Sequence, residues 1–113
     1  MPKVSPTALD LSDQALQLIA ARFRVLGKAS RLKLVHVLQA GEKSVTELIQ
    51  ATGLSQANAS RHLNTLTSAG FLSRRKKGLK VLYSIADPGV FKLCEHVCGG
   101  LQKRLAQDAK AFD

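Results

Sequence analysis

From Ser44 to Ile85 the chain reads SVTELIQATGLSQANASRHLNTLTSAGFLSRRKKGLKVLYSI, and this segment constrains the fold more than any other. Ser44 followed three residues later by Glu47 has capping-box spacing, in which a hydroxyl and a carboxylate satisfy free amides at a helix start. Leu48 and Ile49 give that helix its apolar face. Thr52-Gly53-Leu54-Ser55 is a turn: Gly53 can take the left-handed conformation that ends a helix, and Ser55 can cap the next. The following helix spans about Ser55 to Ala69, with Ala59, Leu63 and Leu66 as its inward stripe and Gly70 as its stop. Phe71-Leu72-Ser73 and Val81-Leu82-Tyr83-Ser84-Ile85 then read as two strands. Between them Arg74, Arg75, Lys76, Lys77 and Lys80 place five cations within seven residues, with Lys77-Gly78 as the expected turn.

The flanking regions are predicted to be helical. Residues 1–9, with two Pro and no periodicity, read as a mobile arm. A helix begins near Asp10, with Asp10 or Ser12 as its N-cap. Leu16, Ile19, Phe23 and Leu26 form one apolar face, and Leu11, Ala15 and Leu18 add a second. A helix apolar on two faces in so small a chain packs its own core and a second protomer. Gly27 ends it. Ser30 is the expected cap of the next helix, with Leu32, Val35 and Leu38 inward and Gly41 closing it. Asp87-Pro88-Gly89 breaks the hairpin and starts a last helix running to about Gln107. The expected organisation is one domain over residues 10–107, a tail over 108–113, and a mainly α fold with one small β-hairpin. At 113 residues, 45% hydrophobic but only 4% aromatic, the core must be built from Leu, Val, Ile and Ala, which favours helices.

Seventeen Lys and Arg against eight Asp and Glu leave a formal charge of +9. So basic a small domain expects a polyanion. A charge run at a loop tip is, taken alone, ordinarily just solvated, and a capped helix pair is common. Their conjunction in this order is what a double-stranded DNA reader needs: one helix for the major groove and a basic ribbon for flanking phosphates. On the outward face of the fourth helix, Gln56 and Asn58 can pair with adenine and Arg61 with guanine or phosphate, while Ser60 allows close approach and Asn64 extends the polar face. Gln56, Ser60 and Arg61 are the expected base readers, with Asn58 a weaker candidate. His62 lies on the inward side and reads as a hydrogen-bonded structural residue. No Gly-rich phosphate loop, nucleophile elbow or His-Glu-His pattern supports an enzyme, and no cofactor is implied. No apolar run is long enough for a membrane span, no signal peptide is visible, and two Cys without export signals point to the cytoplasm.

The run Val25-Leu26-Gly27-Lys28-Ala29-Ser30-Arg31-Leu32, then Leu54-Ser55-Gln56, Ser60-Arg61-His62-Leu63, Leu66, Gly70-Phe71-Leu72 and Val81-Leu82-Tyr83, resembles the ArsR/SmtB family over roughly residues 12–105. The resemblance implies a winged helix-turn-helix repressor. It further implies a homodimer built on the first and last helices, an inverted-repeat operator, and release on sensing a metal or a small reactive inducer. The family's zinc positions on the last helix fall here on Asp87, Gly89, Gly100 and Lys103, and one carboxylate with a lysine cannot supply four N, O or S ligands. Where arsenic and cadmium sensors carry thiols around the third helix, this chain has Ser44, Val45 and Thr46.

Cys94 and Cys98 remain as sensing candidates. Spaced four apart on a helix, they share one face with Phe91, Leu101 and Leu105. They can be packing residues, since buried Cys behaves as a small hydrophobe. As sensors they are expected to be targets of an oxidant or persulfide, because two thiols without flanking ligands make a poor cage for a divalent metal; ligation of As(III) or another soft ion is the alternative. A disulfide between residues four apart on one regular helix is geometrically poor, although Gly99-Gly100 weakens the helix there. A non-sensing nucleoid protein is the rival class.

Overall fold

The computed structural model describes residues 11–111, so the arm expected over 1–9 lies outside the described residues. The elements run α1 (Asp13–Leu26), α2 (Ala29–Leu38), β1 (Lys43–Ser44), α3 (Val45–Thr52), α4 (Gln56–Ser68), β2 (Leu72–Lys77), β3 (Lys80–Ile85) and α5 (Gly89–Ala111). Local chemistry sets most of these boundaries. Ser12 caps α1, its Oγ accepting from the Ala15 amide at 3.1 Å, while Asp10, the other candidate, lies outside the described residues. At α3 the capping box is complete: Ser44 Oγ accepts from Glu47 N–H at 3.2 Å and Glu47 Oε1 accepts from Ser44 N–H at 3.0 Å. Gly53, at φ 73°, ends α3 in the left-handed conformation, and Ser55 Oγ accepts from the Asn58 amide at 3.1 Å to start α4.

Three boundaries differ from expectation. The helix α2 starts before Ser30, because one extended residue, Lys28, separates it from Gly27 and occupies the N-cap position without a side-chain bond. The hairpin turn is Gly78-Leu79, one residue later than Lys77-Gly78. Gly78 alone has positive φ (63°), as a two-residue type II′ loop requires. The ladder therefore extends from Leu72↔Ile85 to Lys77↔Lys80, so Arg74–Lys77 and Lys80 are strand residues rather than loop residues. Long, solvated side chains do not oppose strand pairing where both faces meet water. The last helix continues past Gln107 to Ala111. Beyond the hairpin, β1 adds an outer strand on β3 through Lys43↔Tyr83 and Ser44↔Leu82.

The core lies between α2, α3, α4 and the sheet: Leu34, Leu38, Leu48, Leu63 and Leu66 are almost fully enclosed, with Val35, Phe71, Leu72 and Tyr83 around them. Each buried leucine contributes on the order of 1.5–3 kcal/mol. Leu34 takes the inward place expected for Leu32, which is 40% exposed. Because α2 carries Leu32, Leu34, Val35, Val37 and Leu38, its apolar pattern does not by itself choose a face.

The helices α1 and α5 meet this core at their near ends, through buried Leu26 and Val90, with Val25, Phe91 and Cys94 packed beside them. Apart from Leu26 the apolar stripes of α1 are left uncovered: Leu16, Leu18, Ile19 and Phe23 stay exposed, as do Leu11 just before the helix and Leu93, Val97, Leu101 and Leu105 on α5. The radius of gyration, 17.4 Å, exceeds the roughly 13 Å of a compact chain of this length. Arg22 holds α1 in place, donating Nη1–H to Ala69 O at 2.7 Å, lying 4.4 Å over the Phe71 ring, and facing Asp87 at 3.7 Å.

Candidate nucleic-acid interface

Burial of Ala59, His62, Leu63 and Leu66 fixes the rotation of α4. With 3.6 residues per turn, Ser60, Arg61 and Asn64 then face outward, and Gln56 opens the first turn. All four side chains are exposed, as is Asn58. Asn58 is already engaged, since its Oδ1 accepts from Arg61 Nη2 at 2.9 Å. That bond props the guanidinium along the helix and occupies part of Asn58's base-pairing capacity.

His62 supports the helix from behind. It is 2% exposed. Arg31 donates Nε–H to His62 Nδ1 at 3.3 Å and Nη1–H to Val25 O at 3.2 Å, joining the end of α1 to α4. A ring nitrogen that accepts belongs to the neutral imidazole. Burial first, then the charges of Lys28, Arg31 and Arg61, pushes the His62 pKa below its ordinary value.

The hairpin divides its cations by the two-residue period of a strand. Arg74 lies directly opposite Tyr83 and Lys76 opposite Val81, on the sheet face that packs Leu72 and Tyr83. Arg75 and Lys77 project from the other face. Arg75 is not free: Nε and Nη2 donate to Glu42 Oε2 and Oε1 at 2.6 and 2.7 Å. This two-point bond holds the Glu42 carboxyl below its ordinary pKa. Lys77 and Lys80 face each other across the ladder, a like-charge pair that is unfavourable without an anion nearby. Between α4 and the hairpin lies a cleft of about 310 Å³, lined by Ser60, Asn64, Arg74 and Tyr83 with Val45 and Val81. Sequence reasoning does not mark Tyr83 as a site residue, because its place opposite Arg74 depends on a register that alternation alone does not specify.

Cys94 and Cys98 lie outside this cleft. The helix α5 runs unbroken through Gly99 and Gly100. Both cysteines border an apolar groove of about 710 Å³ whose other walls include Phe23 and Leu26 of α1 and Leu32 and Val35 of α2. Cys94 is partly buried and Cys98 exposed. Burial pushes the Cys94 thiol pKa up. Among the described residues no three His, Cys, Asp or Glu side chains converge as a metal cage requires. No described helix is long and apolar enough to cross a membrane.

Three helices, a helix-turn-helix and a flanking hairpin define a winged helix-turn-helix protein. The family model described as bacterial regulatory protein, arsR family, matches residues 28–74. A transcriptional repressor SmtB homolog of Synechocystis sp. is 36% identical over 101 residues, covering 89% of this chain and 75% of that protein. A protein of Streptomyces lividans named a probable mercury resistance operon repressor is 39% identical over 71 residues, covering 63% of this chain. The match spans only 57% of that protein's own length. Among solved structures, the homodimeric winged helix-turn-helix DNA-binding domain of a possible ArsR-family regulator from Mycobacterium bovis superposes with a TM-score of 0.73 at 29% identity. That superposition covers 86% of this chain and 93% of that one. The chain belongs to the ArsR/SmtB family of bacterial regulatory proteins.

Proposed function

We propose that the chain is a homodimeric repressor that occupies an inverted-repeat DNA operator and is released when Cys94 and Cys98 are chemically modified. The observation that carries the DNA reading is the open polar face of α4 beside a hairpin bearing Arg74, Lys76, Lys77 and Lys80. Gln56 and Arg61 read base edges, Asn58 orients Arg61, and the hairpin cations hold phosphates. The dimer reading rests on the uncovered apolar stripes of α1 and α5 and on the homodimeric relative. A second copy laid along those helices would set the spacing of two α4 helices for adjacent major grooves.

Both thiols border the groove on that same side, so a modification there acts on the helices that set the spacing. Cys98, exposed, reacts first with an oxidant or persulfide; Cys94, its thiolate disfavoured by burial, follows. A soft ion such as Hg(II) or As(III) bound to the same thiolates is the second reading, favoured by the name of the Streptomyces relative. Operator binding should be measured with reduced protein, with polysulfide or peroxide, and with As(III) or Hg(II), beside Cys94→Ser and Cys98→Ser. Loss of binding with polysulfide or peroxide alone, abolished by Cys98→Ser, supports the first reading. Loss with the ions alone supports the second. No effect of any reagent means that the thiols only pack.

A further inference from the structure

We infer that the cleft between α4 and the hairpin is a seat for a single DNA phosphodiester, in which Tyr83 donates its hydroxyl beside the Arg74 guanidinium. This rests on the DNA-binding reading above and assigns a contact that reading lacks. Four observations converge on it. Ser60 and Asn64 stand one helical turn apart, so both side chains overhang the same side of α4. Arg74 and Tyr83 are directly opposed in the β2–β3 ladder, which sends their side chains to the same face of the sheet. All four line one cleft of about 310 Å³, ample for a phosphate group. None of the four makes a side-chain hydrogen bond among the described residues, although each carries at least one donor.

Tyr83 is the decisive member. Its ring is part of the core, with the whole residue only 6% exposed, yet no buried side-chain oxygen or nitrogen in the described residues lacks a partner. The hydroxyl must therefore reach the open cleft while the ring stays in the core. Such a side chain is held in one place and offers one donor in a fixed direction. Opposite it, Ser60 Oγ–H and the Asn64 amide supply neutral donors, and Arg74 supplies the charge. Three neutral donors and one guanidinium fit a singly charged diester oxygen pair, gripped between the element that enters the groove and the element that flanks it. Ser60 and Asn64 thereby serve register rather than base discrimination.

Tyr83→Phe removes the hydroxyl and leaves the ring in the core, so thermal unfolding should be unchanged. Affinity for a duplex carrying a selected operator should fall about tenfold, the scale of a hydrogen bond to a charged group. It should fall equally on a random duplex of the same length, because a phosphate carries no sequence. Methylphosphonate placed at one position at a time along the half-site should weaken wild-type binding at one position where Tyr83→Phe shows little further loss. Inorganic phosphate should compete no better than chloride at equal ionic strength. Tyr83→Phe binding as tightly as wild type, absence of a coupled methylphosphonate position, or specific competition by free phosphate overturns the duplex seat. Failure of the wild type to bind any duplex would overturn the DNA reading itself, and this seat with it.

Discussion

Arg75 and Glu42 meet in a two-point bond, Nε to Oε2 at 2.6 Å and Nη2 to Oε1 at 2.7 Å, between the hairpin and the turn that precedes β1. The hairpin's densest cation cluster is thus partly neutralised by the protein itself. Arg75 braces the wing, while its sequence neighbour Arg74 faces α4 and the cleft. Each phosphate neutralised contributes about one to the slope of log K against log salt. Arg74→Ala should therefore lower that slope by about one, and Arg75→Ala should leave it nearly unchanged. Glu42→Gln should steepen it by freeing Arg75. A slope unmoved by Glu42→Gln, together with a loss for Arg75→Ala, would show that Arg75 leaves Glu42 for DNA.

Arg61 is the outward cation of α4, oriented by Asn58 Oδ1 at 2.9 Å. Arg61→Ala should cost about 1–3 kcal/mol of operator affinity and relax sequence preference. Competition between the operator and single-base variants measures this. An equal loss on specific and random DNA would place Arg61 on the backbone. Asn58→Ala should cost less, since its part is to steer Arg61.

His62 gives the fold an acid sensitivity. Its pKa is pushed below the ordinary imidazole value of 6.5, foremost by burial. Below that ordinary value the unfolded chain takes up a proton that the folded chain resists, so stability falls as acid is added. Above it the unfolded imidazole is neutral too, and the group adds no pH dependence. The unfolding temperature should decline between about pH 7 and about pH 5, and His62→Gln should decline less over the same range. Parallel curves would mean that other groups set the acid response.

The turn into α4 rests on two replaceable features. Ser44→Ala removes half of the capping box at α3 and should cost about 1 kcal/mol. Gly53→Ala meets no atom within 4 Å, so its penalty comes only from the left-handed φ of 73°, again about 1 kcal/mol. Denaturant midpoints measure both, and a midpoint unchanged in either variant would deny that cap its role.

Local signals make the centre of the chain legible in the sequence. Ser44 with Glu47, Gly53 and Ser55 act through bonds spanning four residues or fewer, so the α3–turn–α4 unit and its buried stripe of Ala59, Leu63 and Leu66 can be read from the residues alone. Register cannot. The ladder's extension to Lys77↔Lys80 makes five apparently equivalent cations strand residues, and strand alternation then sends Arg74 and Arg75 to opposite faces. Long-range pairings are equally hidden: Glu42 lies 33 residues from Arg75, and Arg31 lies 31 from His62. The face of α2 is ambiguous because apolar residues surround it. On α1 the double apolar stripe is plain in the sequence, but the chain's own core covers only its end at Leu26.

The most direct measurement is the affinity of the reduced protein for an operator selected from random sequence, against a random duplex of equal length, at one fixed salt concentration with stoichiometry recorded. A preference of about 10³ or more, with two chains on each inverted repeat, is the expected result. Equal affinity for both duplexes, or one chain per site with no preference, would contradict sequence-specific repression and leave a general DNA-coating protein in its place.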